Sequence, residues 1–222
     1  AGAIGGMPGV KLGASGHDIS LILRGPHLAA VAQEGLKLVE EDGRELLLRP
    51  ACATDRLPEA VPQDLVGLAL KAHQLAAVAP ELHTLLHEKT RIVTMQNGAP
   101  WWYFLHGLPG PYAGRTLESV DPGGIVARHV DARRVIGSVV YPASEVVRPG
   151  LIRVIEGNRF TLGEPDGSDS DDIRAVATAF RAAGFKAASC DGKQRILPQR
   201  RASLSRCRLS SWRSLKASTS AS

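Results

Sequence analysis

The sequence predicts an α/β fold, a parallel β-sheet with helices on both faces. Three observations predict it. Short apolar runs alternate with segments of helical spacing through the first half of the chain. Buried parallel strands read as such runs, and crossover helices cover them. The chain opens on a glycine-rich turn, Ala1-Gly2-Ala3-Ile4-Gly5-Gly6. A hydrophobic fraction of 44% and a charged fraction of 22% are those of an ordinary globular domain.

The elements follow in order. The glycine turn leads into a helix of about ten residues that stops near Gly16. Ile19 to Leu23 is a buried strand ending at Arg24-Gly25, and His27 to Leu36 has helical spacing. Leu36–Val39 and Glu45–Leu48 flank Asp42-Gly43, a hairpin signal. Asp64 to Leu70 is a strand, Gln74 to Leu86 a helix and Arg91 to Met95 a strand. After Pro100 the pattern changes: Val135–Tyr141, Leu151–Glu156 and Phe160–Leu162 are β-like, and are expected to add antiparallel strands to the sheet edge. Asp171 to Ala183 is a helix with Ile173, Val176 and Phe180 on one face and Gly184 as its stop.

From Ala188 the character breaks, which sets the domain limits at 1–187 and 188–222. The tail holds nine serines and eight basic residues against one acidic residue, Asp191. Its composition predicts disorder, and a shifted reading frame would look the same. Because the tail carries a net charge of +7, the overall net charge of +5 leaves the other 187 residues mildly acidic. A nucleic-acid-binding body is therefore not expected, although the tail by itself keeps that alternative open. Cys52, Cys190 and Cys207 lack paired spacing, which argues against a disulfide framework or a zinc site. No apolar run reaches the ~18 residues that span a bilayer, and no secretory leader is seen, so a cytoplasmic location is expected.

Gly2 and Gly5 have the spacing of the last two glycines of G-x-G-x-x-G. Glycine there lets the backbone approach a pyrophosphate at a helix N-terminus whose N–H groups face the anion. Arg24 lies 19 residues beyond Gly5, at the end of the second strand. An acidic residue at that place binds the ribose 2′-hydroxyl of NAD, whereas an arginine suits the 2′-phosphate of NADP. A solvated arginine is the bland alternative. Lys71 and Asn97 follow the next two strands, where ligands of such sheets bind, but an ordinary surface lysine and an Asn-Gly turn fit those positions too.

Taken together, these segments resemble the ketopantoate reductase family. The resemblance rests on the opening glycine turn, Gly16-His17-Asp18, Leu23-Arg24-Gly25 and Leu70-Lys71-Ala72-His73-Gln74. It continues in Gln96-Asn97-Gly98-Ala99-Pro100-Trp101-Trp102, Gly137-Ser138-Val139-Val140-Tyr141-Pro142-Ala143 and Glu156-Gly157-Asn158-Arg159-Phe160. It covers roughly residues 1–187. It implies a Rossmann-type NADP-binding domain and NADPH-dependent reduction of 2-dehydropantoate to pantoate, on the route to pantothenate and coenzyme A. By position, Gly2, Ala3, Ile4, Gly5 and Gly6 would hold the pyrophosphate and Arg24 the 2′-phosphate. Lys71, Gln74 and Asn97 would line the cleft, Asn97 also meeting substrate, and Ala143 would touch the cofactor through its backbone.

Two departures from the family are expected to matter. The strand before the glycine turn is not recognised, nor is the family's helical C-terminal domain. With that domain goes the Lys-x-x-x-Asn arrangement whose lysine would protonate the alkoxide. Lys186, Lys193 and Lys216 lack the flanking asparagine and are rejected, so no catalytic residue is assigned. Trp101, Trp102, Tyr103 and Phe104 are expected to pack against the second domain, or else to keep water from the reacting carbon. A non-catalytic NADP-binding remnant and a reductase of another 2-keto acid are the alternatives. The family reading names no metal or membrane partner, and it leaves a homodimer open.

Overall fold

The computed structural model describes residues 1–106 and 110–189. The helix expected after the glycine turn is α1, Ala3–Ala14, which begins inside that turn so that Gly5 and Gly6 are helical; β1, Ser20–Ile22, and α2, Gly25–Glu34, follow. Leu36–Val39 (β2) and Glu45–Leu48 (β3) form the predicted hairpin, with Leu36 opposite Leu48 and Val39 opposite Glu45. Gly43 makes the turn with φ 85°, a conformation that costs glycine little. β4, Cys52–Thr54, runs parallel to β1. Then come β5, Gln63–Leu68, α3, Ala72–Val78, a 3₁₀ segment Ala79–Leu85, and β6, Leu86–Met95. Pro80 sits in the first turn of that 3₁₀ segment, where the predicted single helix divides.

The remaining elements are α4, Ile125–His129, β7, Val135–Val140, β8, Ala143–Arg148, β9, Leu151–Glu156, β10, Arg159–Gly163, α5, Asp171–Ala182, and β11, Lys186–Ser189. β11 runs past residue 187, where the sequence breaks in character. Most of the predicted tail, with Cys190 and Cys207, lies outside the described residues.

The strands make three sheets. β1 and β4 form a pair, a five-stranded sheet has the order β11-β10-β7-β6-β5, and a four-stranded sheet has the order β3-β2-β9-β8. The expectation for the later strands needs correction. β7 is parallel to β6 and lies inside the main sheet; β10 is antiparallel to β7 but is not the edge, because β11 runs parallel beyond it. β9 leaves that sheet and lies parallel to β2. Burial explains the sorting. Val135 to Ser138 are all buried, as in a strand covered on both faces. In β9 Ile152 and Val154 are buried while Arg153 and Ile155 are exposed, so one face stays wet.

Two cores lie on opposite faces of the five-stranded sheet. Met7 and Val10 of α1 and Ile173, Val176 and Phe180 of α5 pack with Val93, Ile136 and Phe160. On the other face Leu75 and Leu82 join Val66, Ile92, Val126 and Val135. Trp101 and Trp102 belong to this second core, 1% and 3% exposed. They were expected to face another domain; instead the domain's own helices cover them, and the indole N–H of Trp102 donates to Thr94 Oγ1 at 3.3 Å.

Candidate functional site

α1 starts without a side-chain cap and without an acidic residue in its first turn. Gly6 N–H donates to the Gly2 carbonyl at 2.8 Å, which closes the first helical turn. The N–H groups ahead of it have no helical acceptor and carry the positive end of the helix dipole. Gly2 has open space above it: a Cβ there would meet nothing within 4 Å. The next two glycines are crowded. A Cβ on Gly5 would come within 2.9 Å of Ala69 Cβ, and one on Gly6 within 2.3 Å of Ile152 Cδ1. Their hydrogens allow α1 to sit against both the end of β5 and the second sheet. The residues thus fit an anion-binding turn, open at Gly2 and tightly packed beneath.

The other expected residues lie around this helix start. The backbone nitrogen of Ala1 bonds the Ile22 carbonyl at the end of β1. Arg24 follows as the N-cap residue of α2, extended and exposed. His27 stands in the first turn of α2, and its Nδ1 accepts from Gly150 N–H at 3.0 Å. Burial holds the His27 pKa below its ordinary value. The ring is therefore neutral at pH 7, with its proton on Nε2.

β5, β6 and β7 are mutually parallel, so the segments after them emerge at one edge of the sheet. Those segments carry Lys71, Asn97 and Ala143. Lys71 is exposed and is the N-cap residue of α3. The Gln74 side chain turns back to accept from Lys71 N–H at 3.1 Å, so its oxygen caps the helix. Asn97 is engaged as well: its Nδ2 donates to the Val140 carbonyl at 2.9 Å, and its Oδ1 accepts from Val140 N–H at 3.1 Å. Ala143 is half-buried at the start of β8. Gln96, which sequence reasoning passed over, donates from its carboxamide to the Leu70 carbonyl.

A parallel sheet flanked by helices, with an uncapped glycine-rich helix start beside its strand ends, defines a Rossmann-type domain. Such domains take dinucleotides beyond the carboxyl ends of their strands. The match with known proteins narrows the class. Residues 1–101 match the family model described as "Ketopantoate reductase PanE/ApbA". A 2-dehydropantoate 2-reductase of Mesorhizobium japonicum is 49% identical over 188 residues, 84% of this chain and 57% of the relative. A crystal structure from Ralstonia solanacearum assigned to the ketopantoate reductases superposes with TM-score 0.80 at 39% identity, over 86% of this chain and 58% of that one. A D-mandelate dehydrogenase solved with NADH and anilino(oxo)acetate shares the fold at TM-score 0.66 and 19% identity, over 86% of this chain and 55% of that one. The chain belongs to the ketopantoate reductase family, whose members are NAD(P)-dependent oxidoreductases, and carries its N-terminal Rossmann-type domain. It spans a little over half the length of the relatives it matches.

Proposed function

We propose that the chain is the NADPH-binding domain of a 2-dehydropantoate 2-reductase, serving the reduction of 2-dehydropantoate to pantoate on the route to pantothenate and coenzyme A. The observation that carries this reading is the uncapped start of α1, open above Gly2 and packed beneath Gly5 and Gly6. It occurs in a chain 49% identical to a protein of that name. When bound, the reduced nicotinamide supplies the hydride. The chain's own residues bind and orient. The first turn of α1, Gly2 to Gly6, offers backbone N–H groups to the pyrophosphate. Arg24 offers a guanidinium to a 2′-phosphate. Lys71, Gln74, Asn97 and the Ala143 backbone line the cleft, and the second hydrogen on Asn97 Nδ2 is available to substrate.

Preference for NADPH rests on Arg24, because the fold itself also serves an enzyme solved with NADH. Calorimetric titration tests it. NADPH should bind at least about tenfold more tightly than NADH, ~1.4 kcal/mol, and Arg24→Ala should abolish the difference. Equal affinities in the unaltered chain would remove both the cofactor preference and the role of Arg24. A proton donor for the alkoxide is not assigned among the described residues. A chain that binds NADPH but does not turn over 2-dehydropantoate would be a binding domain only, while turnover of a different 2-keto acid would replace the substrate.

A further inference from the structure

The backbone pairing of β6 with β5 ends at Leu68 opposite Thr94, and that with β7 at Met95 opposite Ser138. Extending each register by two residues would put Gln96 opposite Leu70 and Asn97 opposite Val140. Those are the pairs that the side chains make. Gln96 donates to the Leu70 carbonyl on one side, while Asn97 exchanges two hydrogen bonds, 2.9 and 3.1 Å, with the Val140 peptide on the other. A primary amide carries the same donor and acceptor as a peptide group. The main chain of β6 can therefore turn away toward Gly98 while both ladders continue for one more rung.

We infer that Gln96 and Asn97 are positioning residues, whose side-chain amides hold the rim of three parallel strands in the shape the cofactor meets. Leu70 immediately precedes Lys71, and Val140 lies three residues before Ala143. Each amide thus anchors a strand end just ahead of a residue assigned to the cleft, and the inference rests on the cofactor reading above. Asn97 spends one donor and one acceptor on Val140, which leaves one of each for a ligand. Gln96 acts only through Leu70.

Amide hydrogen exchange, thermal melting and NADPH titration of the full chain, Asn97→Ala and Gln96→Met test this. In Asn97→Ala the Val140 amide should exchange at least about tenfold faster, with Ser138 unchanged, because its acceptor is gone. Both variants should bind NADPH about tenfold more weakly at a near-normal melting temperature. Gln96→Met is the sharper of the two, since it keeps length and neutrality and removes no assigned ligand contact. Unchanged Val140 exchange in Asn97→Ala, or unchanged NADPH affinity in both variants, would overturn the inference. If the unaltered chain does not take NADPH, the cofactor reading falls, and Val140 exchange alone then decides whether the amide holds the rim.

Discussion

The two ends of the stretch of β6 that pairs with β7 are held by different chemistry. At its start the partners are charged. Arg91 donates to both oxygens of Glu164 at 2.7 and 2.6 Å, and to Asp172 at 3.0 Å. Arg134, in the turn just before β7, reaches the carbonyls of His87, Glu88 and Thr90. At its end, Gln96 and Asn97 make neutral amide bonds, beside a helix start that carries no acidic residue. The difference separates two tasks. Charges that neutralise one another can close one end of a sheet. The opposite end must keep its N–H dipoles and its cation uncompensated if it is to attract an anion.

The largest test of this contrast is to break the closed end. Glu164 is 6% exposed, so Glu164→Ala would leave Arg91 with the partly exposed Asp172 as its remaining carboxylate. A loss of about 3 kcal/mol in urea unfolding is expected. Removing both charges with Arg91→Met and Glu164→Leu should recover most of it. A loss below about 1 kcal/mol for the single change would mean that the pair is merely a surface contact.

Next in size is the open end. Gly6→Ala forces Ile152 or Leu36 to move, because the new Cβ would lie 2.3 and 3.1 Å from their methyl groups. Overpacking of this kind costs about 1–3 kcal/mol. NADPH affinity should fall with it as α1 is pushed off its seat. Unaltered stability would show that the second sheet yields freely.

The smallest effect repeats the contrast along α1, whose start is glycine and whose far end is charged. Lys11 and Glu40 approach to 2.5 Å, and Arg44 also bonds Glu40. Burial by itself would raise the Glu40 pKa, but Lys11 and Arg44 more than offset it and hold the carboxyl below its usual 4.5. A depressed carboxylate pKa stabilises the fold above the unfolded value and loses that contribution as pH falls through the folded one. Urea midpoints should therefore drop as the solution is acidified below about pH 4.5, with a shallower slope in Lys11→Met. Identical slopes would remove Glu40 from the acid response.

Much of this arrangement was legible in the residues. The hairpin at Asp42-Gly43 and the one-sided helix Asp171–Ala182 carry local signals, and each forms where those signals lie. Which sheet a strand joins was not legible. Leu151–Glu156 looks like any edge strand, and its pairing with β2 depends on contacts more than a hundred residues apart. β4 and β11 are too short to show a period, and Val135–Val140 gave no sign of its direction. At the candidate site, Arg24, Lys71 and Asn97 could be placed from strand ends alone. Gln96 could not, because its role follows from register and not from its own neighbours. The tryptophans were misread because an aromatic run after a loop looks like a surface, whereas here the second core absorbs it.

That second core has an optical consequence. Trp101 and Trp102 follow the Asn97 loop by a few residues and are shielded from water on all sides. Indoles in so dry a setting emit toward the blue, where reduced nicotinamides absorb. If a reduced dinucleotide settles on the rim as proposed, it would draw excitation out of the buried pair, and the chain's own tryptophans would report its arrival.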